Sequence, residues 1–434
     1  MNAPGMNAPG LNAPGMIGDG AGPLRVPDLA ATTVCFGVLL LNLTLGVADN
    51  SATLLLLTLA MLVSFAPYYH TSFGATALFC GMTIFVVPTY SLLFVDAGVS
   101  TAWVAMFILV ARVIMGLSGD DRRCPPLDTT PTADVALIVI ILATGLATQA
   151  AGLTEQFFHA AWAISLIHLE RLHAATRSTV WRLVGLALVL GGLGLYSAFF
   201  WSGFGRLILS TFALAPILIC LLYGTFRINY LLFAAGSAGL VFFGRVVRFG
   251  VSDGIAGLAV DSGASPITFS QTLWDGGSTI LYREPIWHQW SLLFLNWFPR
   301  GVWPDKPISI NSWFVDEFIG RAEVGLEHTT SVGFFGEHFF IAPTLWFVSI
   351  ALLTLVVVLM IRTLRWFCAP FAAPVVVLNA WMISLFWGGM SVYGSRVWFS
   401  LGPMVIYILV FRRLLRRAED RESPSTVPPA ALPA

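Results

Sequence analysis

His338-Phe-Phe-Ile-Ala-Pro-Thr-Leu-Trp-Phe-Val-Ser-Ile-Ala-Leu-Leu-Thr-Leu-Val-Val-Val-Leu-Met-Ile361 contains no Asp, Glu, Lys or Arg, and Arg362 and Arg365 close it. A helix needs about 20 mainly apolar residues to cross the roughly 30 Å hydrocarbon core of a bilayer, so this stretch reads as a membrane span. Runs of the same kind recur along the 434-residue chain, at 29–48, 52–67, 73–95, 100–117, 134–151, 153–170, 182–200, 204–222, 228–244, 338–361, 370–388 and 397–412. With 57% hydrophobic residues, 11% charged residues and a mean hydropathy of +0.81, the chain falls well short of the charged fraction of a soluble surface. The expected fold class is an all-α polytopic integral membrane protein with about twelve transmembrane helices and one large external loop between spans nine and ten.

The arginines of the short connections give the orientation. Arg122, Arg123, Arg171, Arg177, Arg182, Arg227, Arg362, Arg365, Arg412, Arg413, Arg416 and Arg417 all fall on one side of a twelve-span path. That side is then cytoplasmic, together with both termini. In a Gram-negative cell the chain is a multi-pass protein of the cytoplasmic (inner) membrane, and its long loop faces the periplasm. Residues 1–27 carry three Asn-Ala-Pro-Gly repeats and read as a disordered cytoplasmic tail, without the basic region and cleavage site of a signal peptide. Spans one to nine occupy 28–244, the loop 245–337, the last three spans 338–413, and a short cytoplasmic tail 414–434. A formal net charge of zero provides no basic field for nucleic acid. The five cysteines lie in spans or short connections and read as small buried hydrophobes rather than disulfides or metal ligands.

The loop is where chemistry gathers. Residues 245–337 hold Arg245, Arg248, Arg283, Arg300, Arg321 and the chain's sole lysine, Lys306, against ten acidic residues. Six of the fifteen tryptophans fall there as well, among them Trp287, Trp290 and Trp303. These rings suit either an interfacial belt or a platform for the C–H faces of sugars. The run Trp290–Trp297 suggests a short helix lying in the membrane surface. Arg245 and Arg248, three apart on one helix face, either snorkel to the headgroups or clamp a phosphate-bearing lipid. Pro299-Arg300-Gly-Val-Trp303-Pro304-Asp-Lys306-Pro307 has three prolines in nine residues, which forbids a helix and holds two cations on rigid backbone. Such a string either preorganises cations towards an anion or is a turn with solvated charges. Gly333-Phe-Phe-Gly336-Glu337-His338 then leads into the tenth span, and a helix from Ser331 to Ile361 would place Glu337 near the outer interface. Partial burial there would raise its pKa towards that of a general base; a salt bridge to Arg283 or Arg300 is the competing reading. His328 and His338 are reserve bases, and Arg396 brings a further cation to the same face. No cofactor is called for, and no metal either, since neither an Asp-x-Asp pair nor a His cluster with ligand spacing occurs in the loop.

Pro299-Arg300-x-x-Trp303-Pro304-x-Lys306-Pro307, followed by Gly333-x-x-Gly336-Glu337 at the entry to a span, resembles the Wzy-type oligosaccharide repeat-unit (O-antigen) polymerase family. The similarity covers about residues 296–340, Arg396 and the general architecture. It departs after Glu337, where His338-Phe-Phe-Ile-Ala-Pro343 stands in place of a glycine-bearing stretch. The resemblance implies a lipid-linked glycosyltransferase. Such an enzyme transfers a growing glycan from undecaprenyl diphosphate to a hydroxyl of the next undecaprenyl-diphosphate-linked oligosaccharide at the periplasmic face. It further implies Glu337 as base, diphosphate binding by Arg300 and Lys306 with Arg245, Arg248, Arg283 or Arg396, and a chain-length regulator and a flippase as protein partners. The competing classes are a transporter or flippase of lipid-linked glycans, an O-antigen ligase and a membrane acyltransferase. Transporters usually carry their polar residues at the membrane midplane of broken helices, whereas here the chemistry-bearing residues cluster in one external segment.

Overall fold

The computed structural model describes residues 26–45, 50–94, 101–118, 130–200, 206–225, 228–249, 265–276, 285–319 and 331–422. Among these residues every regular element is helical. The first helices are α1 (Val26–Leu45), α2 (Ser51–Phe65), α3 (Ser72–Cys80), α4 (Val87–Phe94) and α5 (Ala102–Ser118), with a π-turn, Gly81–Val86, joining α3 to α4. Then come α6 (Pro131–Ala150), α7 (Gln156–Ala175), α8 (Thr179–Phe199), α9 (Arg206–Leu222) and α10 (Tyr230–Phe249). Four short helices follow: α11 (Ser265–Gly276), α12 (Ile286–Leu295), α13 (Ile310–Phe314) and α14 (Gly333–Ile341). The chain ends with α15 (Trp346–Cys368), α16 (Ala373–Gly394) and α17 (Val397–Glu422).

Six stretches are long and apolar enough to cross a membrane: Ser51–Tyr68, Ser72–Tyr90, Pro131–Ala150, Thr179–Phe199, Trp346–Cys368 and Ala373–Gly394. Shorter apolar helices cover Leu29–Asn42, Ala102–Ser118, Ile208–Leu222 and Tyr230–Gly239. The protein is an all-helical polytopic membrane protein. Burial sorts these helices into layers. Ala373–Gly394 is 89% buried and Ser72–Tyr90 83%, whereas Pro131–Ala150 is only 22% buried and Trp346–Cys368 39%. So α16 and α3–α4 lie at the centre, while α6 and α15 lie at the rim. The outward faces are apolar too: Phe347, Leu352, Leu355 and Leu359 on α15, and Leu55, Leu56 and Leu59 on α2, are all exposed. Such a surface suits acyl chains rather than water, because helices satisfy their own backbone groups and need no solvent there.

Local sequence sets the helix ends. Asn50 caps α2, its side-chain oxygen accepting from Thr53 N–H at 2.8 Å. Gly152, with φ +75°, turns the chain between α6 and α7. Two boundaries differ from the sequence expectation. Residues 331–361 do not form one helix: α14 ends at Ile341 and α15 begins at Trp346. Pro343 accounts for the break, since it lacks an N–H and forces Ala342 out of the α region, to φ −144° and ψ 65°. At the other side of the long segment, α10 runs five residues past the expected end at 244, to Phe249. It carries Arg245 and Arg248 on its last turns, as their one-face spacing leads us to expect. The tail 1–25 and residues 423–434 lie outside the described residues, as does Cys124; Cys35, Cys80, Cys220 and Cys368 are buried and free.

The described residues between α10 and α15 pack onto the bundle. Helix α12 covers the surface-helix stretch read from the sequence, burying Gln289, Leu292 and Leu293 and exposing Ile286, Trp287, Phe294 and Leu295. It crosses the end of α16 so closely that a Cβ on Gly394 would run into the Leu292 carbonyl, and Trp398 Nε1 donates to Leu293 O at 2.9 Å. Helices α11 and α14 meet through small residues. Ser270 Oγ donates to Val332 O at 2.7 Å and accepts from Gly336 N–H at 3.0 Å, and a Cβ on Gly336 would lie 3.0 Å from Ser270 Cα.

Candidate functional site

Helix α16 is broken five residues before its end. At Gly389 φ is +76° and ψ −169°, a backbone state that essentially only glycine enters without strain. A break frees backbone groups that a continuous helix would pair, and buried groups of that kind need partners. The segment 285–341 supplies them. Asn311 Nδ2 donates to Gly388 O at 2.7 Å, Met390 N–H donates to Glu337 Oε2 at 2.6 Å, and Asn296 Nδ2 donates to Ser391 O at 2.5 Å. Asn311 also donates to Ser391 Oγ at 3.2 Å, and its Oδ1 accepts from Val332 N–H at 3.0 Å, which ties the entry of α14 to the same break.

Glu337 therefore sits at the N–H end of the last turn of α16, where a carboxylate is favoured by the helix dipole. It is 0% exposed, and its Oε1 makes no hydrogen bond. Helix α14 is nine residues long, too short to span a bilayer. Burial pushes the Glu337 carboxyl up to about 8, with the Met390 N–H opposing the shift. Where the sequence leads us to expect partial burial, Glu337 is fully enclosed by protein, on a helix that ends at the Pro343 break. Its neighbour His338 is also 0% exposed; Nδ1 pairs with Ser349 Oγ at 2.8 Å, and Nε2 has no partner. Burial pushes the imidazole down to about 3, so it is neutral.

The cations are distributed differently from the sequence expectation. Lys306 Nζ donates to Asn296 O at 2.6 Å and Phe298 O at 2.9 Å, and burial together with Arg300 holds it below the usual lysine range. The proline-locked loop folds around its own lysine, which leaves little of the ammonium for an external anion. Arg300 donates through Nη1 to Lys306 O at 2.8 Å but is itself exposed. Arg396, just beyond α16, lies within electrostatic reach of Glu155 and His159 at the start of α7. Arg245 and Arg248 are placed by their backbone on α10; Arg283 and His328 lie outside the described residues. Of the tryptophans, Trp287 is 63% exposed, Trp303 is half-buried, and Trp290 lies against the core with its ring 6.5 Å from that of His338.

The structure thus brings Glu337, His338, Trp290 and, through Asn296, the Lys306 loop to the broken end of α16. Chemically, the arrangement offers a titrating carboxyl with one oxygen to spare, while the neutral imidazole of His338, next in sequence, is turned to Ser349 on α15. Asn296, Asn311 and Gly389 escaped the sequence reading, although the pair Gly388-Gly389 inside an apolar run is a helix-break signal. Among the described residues no group of three or more His, Cys, Asp or Glu side chains is placed to hold a metal ion. No protein-family model, curated protein or solved structure matches the chain.

Proposed function

We propose that this protein is a glycosyltransferase of the lipid-linked class, joining undecaprenyl-diphosphate-linked oligosaccharide units into a cell-surface polysaccharide. In this reading twelve helices cross the inner membrane, both termini are cytoplasmic, and the Gly394 end of α16 faces the periplasm. The observation that carries it is Glu337: a buried carboxyl with one unpartnered oxygen, held at a helix break that is also bound by Asn296 and Asn311 of the segment that bears Arg300 and the tryptophans. Glu337 serves as general base for the acceptor hydroxyl. The exposed Arg300 meets the leaving diphosphate, where a guanidinium pairs bidentately with phosphate oxygens. Since Glu337 is fully enclosed, the acceptor reaches it only when the packing around it opens.

The test supplies lipid-linked repeat units to the purified protein in nanodiscs and follows glycan length on a gel. A ladder is expected from the wild type and none from Glu337→Gln; a full ladder from that variant removes the base from the mechanism. A second reading, a transporter or flippase of the same lipids, is favoured by one observation: an interrupted helix whose short terminal piece points its N–H groups at a carboxyl. Its weakness is position, since the break lies one turn or so from the helix end rather than at the midplane. Surface glycan in a deletion strain separates the two: single units remain if polymerisation is lost, and none appear if export is lost.

A further inference from the structure

A second polar cluster lies at the Gly394 end of α16, built from the start of α7, the end of α8 and Arg396, and among the described residues it shares no hydrogen-bond partner with Glu337. Glu155 immediately precedes α7, and Tyr196 near the end of α8 donates its hydroxyl to Glu155 Oε2 at 3.5 Å. One turn into α7 is His159, 2% exposed, with neither ring nitrogen hydrogen-bonded. Its ring meets Phe212 edge-on with centroids 4.9 Å apart and leans on Trp381 at 5.9 Å. Arg396 comes close enough for its charge to act on both Glu155 and His159, and its Nη1 is buried without a partner. Buried polar atoms are nearly always satisfied in folded proteins, so three unpaired nitrogens in one neighbourhood mark a place built for something to bind.

The chemistry of those nitrogens narrows what binds. A neutral imidazole offers one donor and one acceptor, and the guanidinium adds a donor. An anion would use the donors, leave the imidazole acceptor empty and face the Glu155 carboxylate. An ammonium would be repelled by Arg396. Hydroxyl groups, each able to donate once and accept twice, suit such a mixed set. The two ring nitrogens point in different directions and so call for two hydroxyls of one sugar rather than one. The charges of Glu155 and Arg396 offset one another, and the buried rings of Phe212, Trp381 and Tyr196 wall the cluster with aromatic faces on which sugar C–H groups can pack once it opens. We infer that His159 and Arg396 form a carbohydrate-hydroxyl subsite, separate from Glu337 and entered past Glu155. The inference rests on the lipid-linked glycan reading above and assigns Arg396 to the sugar rather than to the diphosphate.

The test measures binding of two probes to the full-length protein in nanodiscs: a short-chain prenyl diphosphate and the same lipid bearing one hexose. The wild type is expected to bind the hexose-bearing lipid more tightly. Loss of the hydrogen bonds in His159→Ala should weaken that probe about three- to tenfold while leaving the bare lipid unchanged. His159→Gln, which keeps a donor and an acceptor, should recover part of the loss, and Arg396→Gln should repeat it if His159→Ala fails to fold. Equal weakening of both probes assigns the cluster to the diphosphate and overturns the inference. Unchanged binding in both variants overturns it alone, with the proposed function standing. A wild type that binds neither lipid overturns both readings.

Discussion

The two ends of α16 are each held by a buried glutamate, and the two are not alike. At the Ala373 end, Glu170 of α7 accepts from Ala372 N–H at 2.7 Å, Ala373 N–H at 2.8 Å and the Tyr223 hydroxyl at 2.7 Å, so both carboxyl oxygens are used. At the Gly394 end, Glu337 accepts once, from Met390 N–H, and its other oxygen has no partner. Both side chains are 0% exposed. The same residue type in the same burial thus has both oxygens engaged at one end and one oxygen free at the other. A fully bonded buried carboxyl is a cap, and altering it should cost stability. A half-bonded one has capacity left for a substrate proton, and altering it should cost chemistry first. The surroundings agree: the Glu170 end is laced by further internal pairs, with His168 joining Asp134 at 2.9 Å to the Tyr407 hydroxyl at 2.7 Å.

The largest effect on folding is therefore expected from Glu170→Ala. Pro374 has no N–H, so Ala372 and Ala373 carry the first donors of α16, and both lose their acceptor inside the bundle. Stranding two buried amides should cost about 2–5 kcal/mol, read as a lowered unfolding midpoint in detergent. A midpoint within error of the wild type would mean that the cap is dispensable.

Gly389→Ala should come next. A Cβ at φ +76° is strained in itself and would also run into the Glu337 carboxylate. Backbone strain alone is about 1–3 kcal/mol, so a smaller loss than in Glu170→Ala is expected, together with loss of transfer activity because Glu337 is pushed off Met390. Asn311→Ala should cost about 1–2 kcal/mol through the stranded Gly388 carbonyl, with activity falling further than stability predicts. Full activity in Asn311→Ala would show that the break holds itself open.

Much of the architecture was legible because it is written in short range. Apolar runs such as Trp346–Met360 announce helices, Gly152 announces a turn, and Pro299–Pro307 excludes a helix, as seen. The site was legible only in part. Glu337 and His338 stood out as ionisable residues at the edge of a span, but their enclosure depends on Pro343 splitting the helix that follows. Lys306 stood out by rarity, and rarity says nothing of its partners, two carbonyls eight and ten residues back in its own loop. The clamp on α16 joins residues 53 to 95 positions apart, Glu337 to Met390, Asn311 to Gly388 and Asn296 to Ser391, and no local pattern encodes such pairs. The same holds for Arg396 and His159, whose meeting depends on how α7 and α16 pack.

The smallest effect on stability is expected from Glu337→Gln, and its pH dependence gives the sharpest form of the contrast. The amide oxygen can still accept from Met390 N–H, so at low pH, where the native carboxyl is itself neutral, the two proteins should differ by under about 1 kcal/mol. The native carboxyl lies near 8 in the fold against an ordinary value of 4.5. Because the folded value is raised, the unfolded chain releases the proton first as pH climbs. The stability contributed by the neutral form is full below 4.5 and lost progressively up to about 8. Glutamine has no proton to lose, so the variant should overtake the wild type across that window in unfolding midpoints measured at several pH values. Transfer by the wild type should rise over the upper part of the window, as the carboxylate needed for base catalysis appears, while the variant stays inactive throughout. Parallel stability profiles for the two proteins would mean that Glu337 is ionised in the fold at neutral pH. The difference between the two ends of α16 would then lie in hydrogen-bond count alone, not in the state of the acid.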